Sequence, residues 1–229
     1  MKINKVKLHN FSSYEGNNEF DFEITDAGKN IVLIGGKNGA GKTSLFTAIK
    51  VALYGPLAYG YVGVNSHYIS KIKDLINSKA FQQEVVESEV QLVKMLEGTS
   101  INVLKNKSES DFGQEPIRLY KKIELGRLSK GERQIFILAL YWAIIEISGQ
   151  NVPFIIDTPY ARIDANHRRE ISEKFFPNIS DQVIILSTDE EINEEYYKIV
   201  KPYVSKEYLL INDENENRTT IKNNYFFEV

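Results

Sequence analysis

The chain has 229 residues, 42% hydrophobic and 11% aromatic, enough to build a packed core in one α/β domain or two small ones. Its 28 basic residues stand against 31 acidic ones, so no bulk positive field points to nucleic acid, and any DNA contact would need a local patch. The absence of cysteine excludes disulfides, thiolate catalysis and Cys-ligated zinc, and His9, His67 and His167 lack metal-ligand spacing.

At the N-terminus, Ile3, Val6, Leu8 and Phe11, then Phe20, Phe22 and Ile24, alternate partially with polar residues and predict two short strands. Met1 to Val6 lacks the apolar core of a signal peptide and no run of 18 apolar residues occurs, so a cytoplasmic protein with no membrane contact is expected. Ile31 to Ile34 reads as a buried parallel strand, and Lys42 to Tyr54 as a helix. After the Gly/Tyr-rich connector Tyr54 to Tyr61, Ile69, Ile72, Leu75 and Ile76 predict a helix ending near Gln83. Val86, Val90, Leu92, Val93 and Leu96 continue the helical spacing up to Gly98.

Ser100 to Leu104 and Ile117 to Lys122 predict a hairpin around a polar loop. The nearly unbroken apolar run from Ile135 to Ile147 is too long for a strand and predicts a buried helix, stopped by Gly149. Phe154 to Ile156, ending in Asp157, reads as a buried strand. A helix from about Asn166 to Phe176 follows, then a strand from Val183 to Leu186. Tyr208 to Ile211 and Thr219 to Lys222 look like a closing hairpin. This rhythm predicts an α/β fold, a mostly parallel sheet covered by helices, with a smaller antiparallel part.

Gly36-Lys37-Asn38-Gly39-Ala40-Gly41-Lys42-Thr43 fits G-x-x-x-x-G-K-[ST] between the predicted strand and helix, the setting of a phosphate-binding loop. Its glycines let backbone N–H groups from Gly36 through Ser44 turn around phosphate oxygens. Lys42 adds a point charge, and the Thr43 hydroxyl offers an oxygen to Mg2+. The helix dipole points at the same phosphates. Asp157, at the C-terminal tip of its strand, is the expected second metal contact. Ser129 and Glu132, in Leu128-Ser129-Lys130-Gly131-Glu132-Arg133-Gln134, read locally as a capping box at a helix start.

Phosphate loop, L-S-x-G-E-R-Q and an apolar strand ending in Asp resemble, in that order, the ATPase heads of the ABC superfamily, and its SMC-like branch in particular. The opening Met1 to Tyr14 with Asn10-Phe11-Ser12-Ser13-Tyr14, the stretch Asp157 to Asp164, and Ile184 to Ile192 with Ser187-Thr188-Asp189-Glu190-Glu191 are similar to the DndD family, the ATPases of bacterial DNA phosphorothioation systems. The resemblance implies an ATP- and Mg2+-dependent homodimer in which Ser129, Lys130 and Gly131 bind the γ-phosphate held by a second subunit. It implies that Ser12 and Ser13 lie near the nucleotide, and that other phosphorothioation proteins and double-stranded DNA are partners. The fold it implies is an ABC-type head of two lobes, about 1–84 and 99–229.

Most ABC-type ATPases carry glutamate and histidine where this chain has Thr158 and Thr188. Threonine can orient water but cannot take its proton at neutral pH, so slow turnover is expected, with Asp164 or another residue helping to hold the water. The acidic run from Asp189 to Glu195 reads as a solvated helix start. Thr43 and Ser129 are only 86 positions apart, with no sustained heptads between them. The long coiled coil of SMC-like relatives is therefore expected to be excised near 84–98, or the chain is a naturally compact member. Competing functions are the ATPase subunit of a double-strand-break repair nuclease, a transporter's nucleotide-binding domain, and an ATP-gated clamp that seldom hydrolyses.

Overall fold

The computed structural model describes residues 1–82, 88–95, 129–160, 163–213, 216 and 218–227. The predicted hairpin at 100–104 and 117–122 lies outside them. Strands β1 (Lys2–Phe11) and β2 (Tyr14–Asp21) form an antiparallel hairpin with Val6 opposite Phe20. The far edge of β1 is taken by β4 (Glu89–Met95), also antiparallel, completing a three-stranded sheet. A helix was the expectation for Val86 to Leu96. Over seven residues the apolar spacing is ambiguous, and the open edge of β1 supplies a ladder that β-branched Val90 and Val93 suit.

The larger sheet has the order β5–β6–β3–β7–β8. Its parallel members are β3 (Ile31–Gly36), β5 (Phe154–Asp157), β6 (Val183–Ser187) and β7 (Val204–Asp213), and β8 (Arg218–Lys222) closes it antiparallel to β7. The apolar runs of β3 and β6 are continuous because both faces are buried. Ile31, Leu33, Val183 and Ile185 face one core, and Val32, Ile34, Ile184 and Leu186 face the other.

The first core is covered by α4 (Lys130–Ser148), by α5 (Ala165–Glu170), which runs through a π turn at Ile171–Phe175 into α6 (Phe176–Ile179), and by α7 (Glu194–Val200). Leu138, Phe175, Phe176, Tyr196 and Tyr197 fill it. The second is covered by α1 (Lys42–Tyr54), through Leu45, Ala48 and Ile49, and by the small sheet, through Ile3, Val6, Leu8 and Phe20. Buried Gln182 joins the two sheets: its side-chain amide donates to Ile3 O at 2.7 Å and Phe22 O at 2.9 Å, and its carbonyl accepts from Ile3 N at 2.8 Å.

Two further expectations change. The single helix predicted across Ile69 to Gln83 is α2 (Ser66–Lys73) and α3 (Ser78–Gln82), broken at buried Asn77. Asn77 donates from its backbone to Asn10 O (2.8 Å) and from its side chain to Ser12 O (2.7 Å), and accepts from Lys79 N (3.1 Å). Tying down the Asn10–Ser12 loop outweighs helix continuation, which asparagine favours weakly. Helix α4 forms where predicted, but only Leu138 on it is buried, and Ile144 and Ile147 are 53% and 66% exposed. A helix apolar on every side lays one stripe on a sheet and leaves the rest open.

Candidate nucleotide-binding site

β3 lies in the middle of the larger sheet, between β6 and β7, so the loop after it emerges at the C-terminal edge where parallel sheets present ligand groups. Gly39 and Gly41 have φ of +80° and +102°, conformations a side chain resists. A Cβ at Gly41 would also lie 2.8 Å from Thr219 Oγ1 and 3.0 Å from Ser13 Oγ. Those hydroxyls brace the loop from behind. Thr219 donates to Ala40 O at 3.2 Å, Tyr14 donates to Gly41 O at 3.0 Å, and Ser12 and Ser44 share a hydrogen bond at 2.8 Å. Burial pushes the Tyr14 hydroxyl's ionisation far up, so it stays a donor. Ser12 and Ser13 therefore do reach the loop, on its back.

Helix α1 starts with no side-chain cap and no acidic residue in its first turn. By contrast α2, α4, α5 and α7 are capped by Asn65, Ser129, Asp164 and Asn193. The first amides of α1 are thus left for another acceptor, beside the exposed crown Lys37, Asn38 and Gly39. Lys42 is 6% exposed and curls under this crown, donating to Gly36 O at 2.5 Å and Lys37 O at 3.0 Å. Burial lowers its pKa, and Asp157, Glu191 and Asp189 oppose the shift in that order.

Asp157, 114 positions downstream, comes to this loop: its Oδ2 accepts from Thr43 Oγ1 at 3.3 Å. Its Oδ1 is shielded from solvent and has no hydrogen-bond partner among the described residues. Burial is the main cause that pushes its carboxyl above the usual range. An alcohol next to a carboxylate with a spare, shielded oxygen is a hard donor set that fits Mg2+. Thr158 follows at φ +54°, an outlier for a β-branched residue, with its N–H on Leu186 O at 2.9 Å.

Past β6, Thr188 and Glu191 bond reciprocally: Thr188 N–H donates to Glu191 Oε2 and Glu191 N–H to Thr188 Oγ1, each at 3.3 Å. The solvated acidic helix start expected here is Glu194 and Glu195, behind the Asn193 cap of α7. Glu191 instead turns inward and is half-buried. The T-x-x-E spacing was the signal that could have separated it from the run.

Ser129 and its neighbours stand apart from the loop. Ser129 caps α4, accepting from Glu132 N at 3.2 Å while Glu132 Oε2 accepts from Ser129 N at 2.8 Å. Ser129 is exposed and borders an open concavity of about 450 Å3 with Lys130, Gly131, Glu132, Ile135, Asp164 and His167. No phosphate-loop residue lines it. Asp164 caps α5, accepting from Asn166 N (3.1 Å) and His167 N (3.2 Å) and pairing with His167 Nδ1 at 2.5 Å. The His167 contact holds its carboxyl below the usual range. Lys42, Thr43, Asp157, Thr188 and Glu191 thus gather at one place, and Ser129, Lys130, Gly131 and Asp164 at another. Arg127, Leu128 and Arg162 lie outside the described residues.

The profile of the AAA domain family matches residues 5–227. The chain belongs to that AAA domain family. Among curated proteins, Arcadin-4 of Pyrobaculum calidifontis is 26% identical over 218 residues, 88% of this chain and 25% of that protein. The chain thus spans about a quarter of that relative's length. Among solved structures, the SMC head domain from Thermotoga maritima superposes with a TM-score of 0.54 at 15% identity over all of both chains. An SMC head bound to the C-winged helix domain of ScpA gives 0.58 at 13% identity over 97% of each. The fold is that of an SMC head, α/β with a mixed sheet and a small antiparallel sheet. No helix among the described residues is long and apolar enough to cross a membrane.

Proposed function

We propose that this SMC-like AAA domain binds Mg-ATP at the Gly36–Thr43 loop, dimerises around it and hydrolyses it slowly. The observation that carries the reading is the meeting of Thr43 with Asp157 at the foot of an uncapped helix start, above a buried lysine. The loop amides and the first amides of α1 would take the β- and γ-phosphates. Lys42 spends two of its three N–H bonds on Gly36 O and Lys37 O and keeps one for phosphate. Thr43 and Asp157 would hold Mg2+, which when bound neutralises phosphate charge during transfer.

Only half of a closed site is present in one chain. Ser129 and Lys130 are exposed and Gly131 is partly exposed at an α-helix start; they border no phosphate-loop residue and would cover the γ-phosphate bound by a second copy. Asp164 lies on the same concave surface and would enter the site from that copy. Ser12 and Ser13 would position the loop from behind rather than contact phosphate directly. The two-lobe division at about 84–98, with its excised coiled coil, belongs to the same proposal.

Service to DNA phosphorothioation, with double-stranded DNA and the other proteins of that pathway as partners, is supported by the DndD-like stretches, most specifically the Asp157-Thr158-Pro159 and Ser187-Thr188-Asp189 strings. The sulfur chemistry would reside elsewhere, since a chain without cysteine carries no persulfide. Titrating the protein with ATP, with and without Mg2+, tests the core of the proposal. One Mg-dependent nucleotide per chain is expected, and a chain that binds none overturns it.

A further inference from the structure

Ser129 with Glu132, and Thr188 with Glu191, make the same pair of reciprocal capping bonds, yet their glutamates meet different surroundings. Glu132 stands in water, and the bonds from Ser129 hold its carboxyl below the usual range, as a cap should. Glu191 is half-buried, and burial pushes its carboxyl up. The nearby Tyr160 backbone favours its charged form, Asp157 repels it and Lys42 attracts it. Capping accounts for the bonds with Thr188. It does not account for sinking a second carboxylate beside Asp157, which costs stability in a protein with no use for it.

The topology says what that carboxylate faces. β5 and β6 are parallel neighbours, with Asp157 opposite Leu186, so Thr158 and Thr188 leave adjacent strands at the same edge of the sheet. Glu191 spans the two exits, bonded to Thr188 on one side and close enough to the Tyr160 backbone on the other to be influenced by it. Thr158, the residue directly after Asp157, offers no proton acceptor and is exposed at φ +54°. The acceptor absent from β5 is thus supplied from the turn after β6.

We propose that Glu191 orients and deprotonates the water that attacks ATP, an inference that rests on the ATPase reading above. In that step the water oxygen bonds to the γ-phosphorus as the bond from that phosphorus to the β–γ bridging oxygen breaks. The electron pair leaves with ADP, and the water proton passes to the Glu191 carboxylate, which later releases it to solvent.

The test compares the wild-type protein with Glu191→Gln, Glu191→Asp and Asp189→Asn for Mg-ATP affinity, melting temperature and single-turnover hydrolysis. Glu191→Gln should bind ATP within about twofold of wild type and melt no lower, yet hydrolyse at least about a hundredfold more slowly. Glu191→Asp, which keeps the acid and shortens its reach, should bind normally and fall between the two. Asp189→Asn, also half-buried and close enough to Lys42 to affect it, should keep its turnover. Hydrolysis by Glu191→Gln within about threefold of wild type would overturn the inference. So would turnover, affinity and melting temperature falling together, the mark of a strut between loops. Wild type that binds ATP without cleaving it contradicts Glu191 alone, whereas wild type that binds no ATP contradicts the nucleotide site itself.

Discussion

The phosphate loop and the start of α4 are both helix N-termini aimed out of the protein, and they are finished to different degrees. Behind the loop, Ser12, Ser13, Tyr14 and Thr219 form a hydroxyl wall, Lys42 is sunk to 6% exposure, and the helix start is left uncapped. At Ser129 the helix start is capped by its own side chain, the surroundings are open, and among the described residues the polar groups beyond the turn that share the concave surface in front are Asp164 and His167. Under the proposed function the first region would hold a ligand's near side by itself, and the second would meet the nucleotide of another copy, the division of labour expected when two copies close over two nucleotides.

The strongest way to break that comparison is at Lys42. Lys42→Ala removes the ammonium beneath the loop and should weaken Mg-ATP binding by about 2–3 kcal/mol, on the order of a hundredfold, in a calorimetric titration. Binding within a few-fold of wild type would mean that the loop amides suffice.

Ser129→Arg acts on the other region. It should leave ATP affinity at its wild-type value and abolish the nucleotide-dependent dimer, measured by light scattering with a non-hydrolysable analogue. Equal loss of affinity would place Ser129 at its own chain's nucleotide.

Asp157→Asn separates binding from stability. Burial of a carboxyl with an unpartnered Oδ1 destabilises the nucleotide-free chain, so the variant should melt higher without Mg2+ and lose the Mg-dependent part of ATP affinity. A lower melting temperature would mean that the Thr43 contact outweighs the buried charge.

The smallest effect is expected at Thr158. Left-handed backbone costs a β-branched residue about 1–2 kcal/mol, and glycine returns about half of that through unfolded-state entropy. Thr158→Gly should therefore gain about 0.5 kcal/mol, a shift of about 1–2 °C in melting temperature. A loss instead would show that the Thr158 side chain holds the turn after Asp157.

The features that could be read from the sequence are the local ones. β3, its loop and α1 are contiguous, so the G-x-x-x-x-G-K-[ST] pattern between an apolar run and a helical one fixed all three, and the strand ending in Asp157 followed the same logic. The Ser129 capping box was equally plain, because both partners lie within one turn. What stayed hidden depends on distant partners. Thr219 reaches Ala40 across 179 positions, and no spacing rule links them. The Val90–Val93 segment became β4 because β1 had an open edge, and Asn77 broke a helix because the Asn10–Ser12 loop lay within reach. Glu191 was hidden differently: it sits in an acidic run whose Glu190, Glu194 and Glu195 are exposed, and the T-x-x-E spacing that sets it apart does not show that the fold turns it toward Asp157. The exposed side of α4 was misread because composition shows how apolar a helix is and not how much of it a sheet can cover.

Mixing two inactive variants tests the shared site most directly. Lys42→Ala keeps an intact Ser129 surface, and Ser129→Arg keeps an intact loop, so a mixed dimer holds one complete site made of one half from each. ATP hydrolysis should reappear when the two proteins are combined, rise with their ratio toward equality, and be absent from either alone. No recovery at any ratio, with both proteins folded, would contradict a nucleotide closed between two copies of the chain.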